Sequence, residues 1–195
     1  REQSKKPLNK ENAKLTQRKV DYAFSKEMRR TTDIYNFNYQ GTQYTVHVLN
    51  AKNTNKTGII KKKPIGFSKT IQVTNIERTL LDVTVRPKYS GGALEVLESY
   101  RQAKATVDIP KLAEYLKKFN YIYPYEKSVL FYLKNTNYPT NALAIFEDLL
   151  DESPNKMINF YLDYQLIQKE EDKDIGLFYP STIDNYRDMY DTKTI

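Results

Sequence analysis

The stretch Val73-Thr74-Asn75-Ile76-Glu77-Arg78-Thr79-Leu80-Leu81-Asp82, continuing through Val83-Thr84 to Val85-Arg86-Pro87-Lys88-Tyr89-Ser90-Gly91-Gly92, is where the chain changes period. Before it, apolar residues alternate as in a strand. After Thr74 they recur at helical spacing. Thr74-Asn75-Ile76-Glu77 has the form of a capping box, in which Thr74 accepts from the Glu77 N–H and the Glu77 side chain reaches back. The predicted helix, Asn75 to Val85, stops at Arg86-Pro87, because a residue before proline avoids the α region. Leu80 and Leu81 supply its packing face, and Asp82 is placed to pair with Arg78 one turn earlier.

Upstream the reading is β-rich behind one helix. Val20, Phe24 and Met28 recur at i, i+4 and i+8 from Thr16 onward, with Arg29 and Arg30 expected in the last turn. Tyr35, Phe37 and Tyr39 alternate with Asn36 and Asn38, and Tyr44, Val46 and Val48 alternate with Thr45 and His47. Two such runs around Gln40-Gly41 read as an antiparallel hairpin. A loop over Asn50 to Thr57, the pair Ile59-Ile60, the run Lys61-Lys62-Lys63 and a short strand at Thr70–Val73 follow.

Downstream the pattern is a helical block. Ser90 is expected to cap a helix over Gly91–Ala105, and Asp108 caps the next, with Pro110 in its first turn. Helices are predicted over Tyr125–Lys134 and Asn141–Leu150. Strands are predicted around Phe160, Leu162 and Tyr164 and at Leu177–Tyr179, with a charged loop over Gln168–Asp174 and a terminal helix capped by Ser181. The order gives an α+β fold, a small antiparallel or mixed sheet with a helical block packed against it. The expected divisions are a lead-in at 1–15, then a domain at 16–190 made of 16–73, 74–150 and a β/α return at 151–190.

Composition narrows the function classes. The chain has 195 residues, no Cys and one His, so thiolate metal sites, disulfides, Cys nucleophiles and multi-His centres are excluded within one chain. With a mean hydropathy of -0.71 but 17 Tyr and 8 Phe, it is too aromatic for wholesale disorder. No apolar run reaches ~18 residues, and the start has no apolar core for a signal peptide. A cytoplasmic protein that uses no cofactor is expected. Arg1 in place of an initiator methionine points to a trimmed chain.

The net charge of +7 is unevenly spread. Residues 1–70 carry 16 Lys+Arg against 5 Asp+Glu, residues 71–145 carry 10 against 7, and residues 146–195 carry 5 against 12. The basic front fits either an anionic partner or neutralisation by the acidic back. Arg18, Lys19, Arg29, Arg30, Lys61, Lys62 and Lys63 are the candidate nucleic-acid contacts, the alternative being a solvated basic face. Tyr115, Tyr121, Tyr123, Tyr125, Tyr132 and Tyr138 fit base stacking or core packing.

Catalytic motifs fail on inspection. His47 has no partner pattern. Gly91-Gly92 lacks the phosphate-cradling spacing, and Glu171-Asp172-Lys173 is only half of a metal-nuclease motif. Asp172 and Asp174 lack the Gly-Ser that precedes a nucleotidyltransferase pair. No enzyme is expected.

Residues 73–92, with their strand ending in Thr, Glu-Arg-Thr-Leu-Leu-Asp, Arg-Pro and Gly-Gly, resemble the central signature of the AbiEi family. These are antitoxins of type IV toxin–antitoxin (abortive infection) systems. Tyr121-Ile122-Tyr123-Pro124-Tyr125, Phe160-Tyr161-Leu162-Asp163-Tyr164 and Tyr179-Pro180 extend the resemblance over roughly 16–190. It implies a phage-defence protein that neutralises a nucleotidyltransferase-like toxin, with Thr74, Glu77, Arg78, Asp82, Arg86, Pro87, Gly91 and Gly92 as architectural residues. Gly91-Gly92 would then permit close approach at a helix start. The resemblance also implies operator DNA as a partner of the full-length protein and repression of its own operon through an N-terminal winged-helix domain, which the polar residues before the first helix are too few to form. A monomer or weak dimer is expected.

Overall fold

Phe24, Phe160 and the buried face of one central helix explain how the two ends of the chain come together. The computed structural model describes residues 14–28, 30–49 and 54–191. The first helix, α1 (Gln17–Phe24), buries Val20 and Phe24 as the stripe predicts. It ends at Phe24, short of the expected turn at Arg29 and Arg30, because the Phe24 carbonyl accepts from the Gln165 N–H at 2.8 Å, a partner from the far end of the chain. Met28 is still buried, but beyond the helix. Arg30 therefore lies outside any helical turn, and Arg29 falls outside the described residues.

Two ribbons follow. β1 (Ile34–Tyr39) pairs antiparallel with β2 (Thr42–His47), with Gln40 and Gly41 both at positive φ in the two-residue turn. That turn twists as the strands require. β3 (Ile59–Lys62) pairs antiparallel with β4 (Ile71–Thr74), so the lysine run begins inside a strand and β4 sits one residue later than predicted. The ribbons are separate two-stranded sheets, and α1 backs neither of them.

The helical block is α2 (Ile76–Val85), a 3-10 turn (Pro87–Ser90), α3 (Ala93–Ala103), α4 (Ile109–Phe119), α5 (Tyr125–Asn135) and α6 (Thr140–Asp151). α5 lies at its centre and buries eight of its eleven residues, Lys127 among them. Apolar surface all round is the mark of a helix enclosed by others, and α2, α3 and α6 flank it.

A third sheet closes the chain. β5 (Phe160–Tyr161) runs parallel to β7 (Leu177–Pro180), and β6 (Lys169–Asp172) pairs antiparallel on the other side of β7. The predicted charged loop is therefore a strand in part. Its all-polar sequence is tolerated because it is an exposed edge, where charge discourages further pairing. The strand expected through Tyr164 regains one bond after β5, Leu162 N–H to Phe178 O at 2.8 Å. α7 (Thr182–Asp191) ends the described chain.

α1 docks on this third sheet. Gln17 exchanges two hydrogen bonds with the Asn159 backbone, at 2.7 and 2.9 Å. Phe24 meets Phe160 edge-on at 5.0 Å and stacks on Tyr164 at 4.4 Å. The architecture is α+β, with strands divided among three small sheets around one helical block.

Candidate functional site

Residues 73–92 form a structural hub. Thr74 is still paired with Ile59 as the last residue of β4, so it is not free to cap α2. The N-cap is the next residue, Asn75, whose Oδ1 accepts from the Arg78 N–H at 3.0 Å. The predicted capping box is therefore absent. Thr74 and Thr79 instead share a hydroxyl–hydroxyl bond of 2.7 Å. Glu77 is released to serve a different helix. Its Oε1 accepts from the Asp108 N–H at 3.1 Å, and its Oε2 pairs with Lys111 Nζ at 3.4 Å. Asp108 caps α4 through the Lys111 N–H, as predicted. Glu77 thereby ties the first turn of α2 to the start of α4.

Arg78 is buried and makes contacts in three directions. Nε reaches Asp82 at 2.8 Å, the predicted pair. Nη1 donates to Thr54 Oγ1 at 2.7 Å and to the Thr57 carbonyl at 3.0 Å, and the guanidinium lies 4.7 Å from the centre of the Phe119 ring. A delocalised, forked cation suits this mixture of carboxylate, carbonyl and ring. Burial raises the Asp82 carboxyl, an effect that Arg78 and Arg86 oppose. Beside them burial holds the Tyr121 hydroxyl at about 12.

The Gly-Gly pair behaves differently from expectation. Ser90 belongs to the 3-10 turn begun by Pro87, and Gly92 is the residue before α3. A Cβ on Gly92 would meet nothing within 4 Å, whereas one on Gly91 would lie 2.5 Å from Cγ of Glu95 in the first turn of α3. Their φ values of +87 and +97 are the requirement. Gly58 is crowded by the hub itself, since a Cβ there would lie 2.5 Å from Arg78 Cβ and 2.9 Å from Asn75 Oδ1.

The candidate basic contacts are dispersed. Arg18 and Lys19 are exposed on α1. Arg30 pairs with Glu27, which also takes Lys88. Lys61, Lys62 and Lys63 are exposed on the β3–β4 ribbon, and successive strand residues point to opposite faces, so Lys61 and Lys62 do not form one patch. Residues 59–74 also carry Lys69 and no acidic residue. Among the described residues no ion pair joins a cation of the first seventy residues to a carboxylate of the last fifty. The ends meet through Gln17, Tyr161 and the aromatic rings instead.

The other candidates are absorbed by the fold. His47 tilts against Tyr89 at 5.7 Å, and the Tyr89 hydroxyl accepts from the Thr31 N–H at 2.8 Å, which roots the first ribbon on the 3-10 turn. Asp172 Oδ1 accepts from the Asp174 and Ile175 N–H groups, and Glu171 reaches Asn159 at 3.4 Å. Among the described residues no three His, Asp or Glu side chains gather closely enough to hold a metal ion. The tyrosines of the helical block are packing residues: Tyr125, Tyr132 and Tyr138 are buried, and Tyr115, Tyr121 and Tyr123 pack partly buried against the same core.

Lys127 carries no sequence signal. Its Nζ donates to the carbonyls of Lys156 at 2.8 Å, Ile158 at 2.7 Å and Gly176 at 3.4 Å, stapling the loop before β5 to the turn before β7. Burial holds its ammonium below the usual lysine range.

No helix among the described residues is long and apolar enough to cross a membrane. No family model, curated protein or solved structure matches this chain.

Proposed function

We propose that this chain is a non-enzymatic antitoxin of the AbiEi type, which opposes a nucleotidyltransferase-like toxin in the cytoplasm. One observation carries the reading. The run that resembles the family signature, residues 73–92, is also the run on which the fold is built, and Glu77, Arg78 and Asp82 are all engaged inside it. These groups build architecture and leave no acid–base or nucleophile arrangement at the signature. The test is co-expression with a toxin of the nucleotidyltransferase type. Growth should be restored by the wild-type chain and not by Arg78→Ala. If the folded wild-type chain gives no protection, the antitoxin reading is wrong.

A second reading, a nucleic-acid-binding regulator, is favoured by the β3–β4 ribbon, which presents Lys61, Lys62, Lys63 and Lys69 without a single acidic neighbour in 59–74. Each phosphate contact contributes about 0.9 to the salt slope on duplex DNA. Lys61 and Lys62 face opposite ways, so replacing Lys61, Lys62 and Lys63 with Glu should flatten the slope by roughly 1–2. An unchanged slope rules the ribbon out. Operator DNA as a partner belongs to the antitoxin proposal, as the family resemblance implies.

A further inference from the structure

We infer that the β1–β2 ribbon is a self-association surface, and that two copies of this chain pack its aromatic faces together about a two-fold axis. Side chains alternate across a strand, and the register Tyr35↔Val46, Phe37↔Tyr44, Tyr39↔Thr42 puts Tyr35, Phe37, Tyr39, Tyr44 and Val46 on one face, with Val48 continuing it. The opposite face carries Asn36, Asn38, Gln43 and Thr45, with the pair Ile34 and His47 at its base, and Thr45 Oγ1 donates to Asn36 Oδ1 at 2.8 Å. The ribbon is thus amphipathic, yet nothing among the described residues covers its apolar side. Tyr35 is 64% exposed, Phe37 51%, Tyr39 59% and Tyr44 44%. An isolated two-stranded ribbon is marginal in water, so a lasting cover for this face stabilises it.

Charge selects the occupant. Residues 31–49 contain no Lys or Arg, and Asp33 is their only acidic residue. A polyanion would find aromatic rings but no cation to neutralise phosphate, and the chain's cations lie on other elements. In a chain of net charge +7, this is a surface over which two identical molecules meet without concentrating like charge. The stack of Phe37 on Tyr44, with centroids 5.4 Å apart and planes at 15°, fixes a flat centre for such a contact.

The area is sufficient. Rings of this type present about 200 Å² each, so the four exposed rings with Val46 and Val48 offer roughly 550 Å² per copy. That lies at the upper end for a patch left open on a monomer, about 300–600 Å². Two copies face to face would cover about 1,100 Å², above the ~1,000 Å² that a specific interface needs. A two-fold arrangement uses the same patch twice and closes without propagating.

Sedimentation equilibrium of the whole chain, from micromolar to sub-millimolar concentration, tests the inference. The wild type should reach twice the 22.9 kDa chain mass. Phe37→Asp should weaken association by roughly 30-fold or more, as loss of a central aromatic anchor does. Asn38→Asp, on the other face, should leave it intact. If circular dichroism shows that Phe37→Asp melts the ribbon, Tyr35→Lys, outside the Phe37–Tyr44 stack, takes its place with the same expectation. A wild type that stays monomeric throughout overturns the inference, as does a dimer indifferent to both substitutions. Saturable binding of oligo(dT) to a monomer, lost in Phe37→Asp, would assign the face to base stacking and overturn it equally.

Discussion

Replacing Arg78 with Ala tests whether residues 73–92 are the architectural hub of the fold. The guanidinium is almost wholly enclosed, at 6% exposure, and its loss breaks the bond to Thr54 Oγ1 and has three further consequences. The Thr57 carbonyl, in a residue that is itself buried, loses a donor, and an orphaned buried acceptor costs about 1–3 kcal/mol. The contact with the face of Phe119 disappears, about 0.5–2 kcal/mol for a partly desolvated pair. The Asp82 partner is lost as well, but the Asp82 side chain is 42% exposed, so water takes over and the cost stays below about 1 kcal/mol. Together these give about 3–4 kcal/mol, a large share of the roughly 5–15 kcal/mol that holds a domain together. Arg78→Lys keeps the charge but not the fork, and should lose about 2 kcal/mol. Urea unfolding followed by circular dichroism reads both, with the slope m unchanged if the native state stays intact. A loss below about 1 kcal/mol for Arg78→Ala would refute the hub.

Gly58→Ala should cost about 2–3 kcal/mol by the same measurement, since it adds strain at φ +73 to a contact 2.5 Å from Arg78 Cβ; a neutral result would mean the 54–58 turn shifts freely. Above pH 10 stability should fall steeply, because Tyr121, Tyr138 and Tyr161 are held at about 12 and buried Tyr100, Tyr125 and Tyr132 are raised further. The unfolded chain releases these protons near pH 10 while the folded chain keeps them, so each fully buried tyrosine removes up to about 1.4 kcal/mol per pH unit. Phenolate absorbance should rise in step with loss of helix, and a gradual rise near pH 10 with the helix intact would contradict this. Burial raises the Glu126 carboxyl although Ser153 Oγ donates to it at 2.5 Å, so its ionisation opposes folding. That penalty is absent below the unfolded pKa of about 4.3 and complete above the folded value. Glu126→Gln should therefore gain stability relative to wild type as pH rises from acid to neutral, and urea midpoints that diverge the other way would reject it.

Local physics made much of the order of elements legible. Alternation around Gln40-Gly41, the stop at Arg86-Pro87 and the Asp108 cap are set by neighbours within a few residues, and each stands where it was expected. The caps at Thr74 and Ser90 were misplaced because a strand pairing and a 3-10 turn claimed those residues first. β6 was hidden because an exposed edge strand needs no apolar face.

By itself the sequence determined an α+β chain with a strand-to-helix change of period at 73–92 and a charge gradient from front to back. Pairings between residues dozens of positions apart belong to the tertiary structure alone. Glu77 left its own helix for Asp108 and Lys111, Lys127 found three carbonyls across 29 to 49 residues, and α1 met the last sheet through Gln17 and Phe24. The tertiary structure also decided that the aromatic alternation of β1 and β2 faces solvent instead of a core. Period-2 patterning fixes which residues share a face, but what covers that face depends on where the rest of the chain packs.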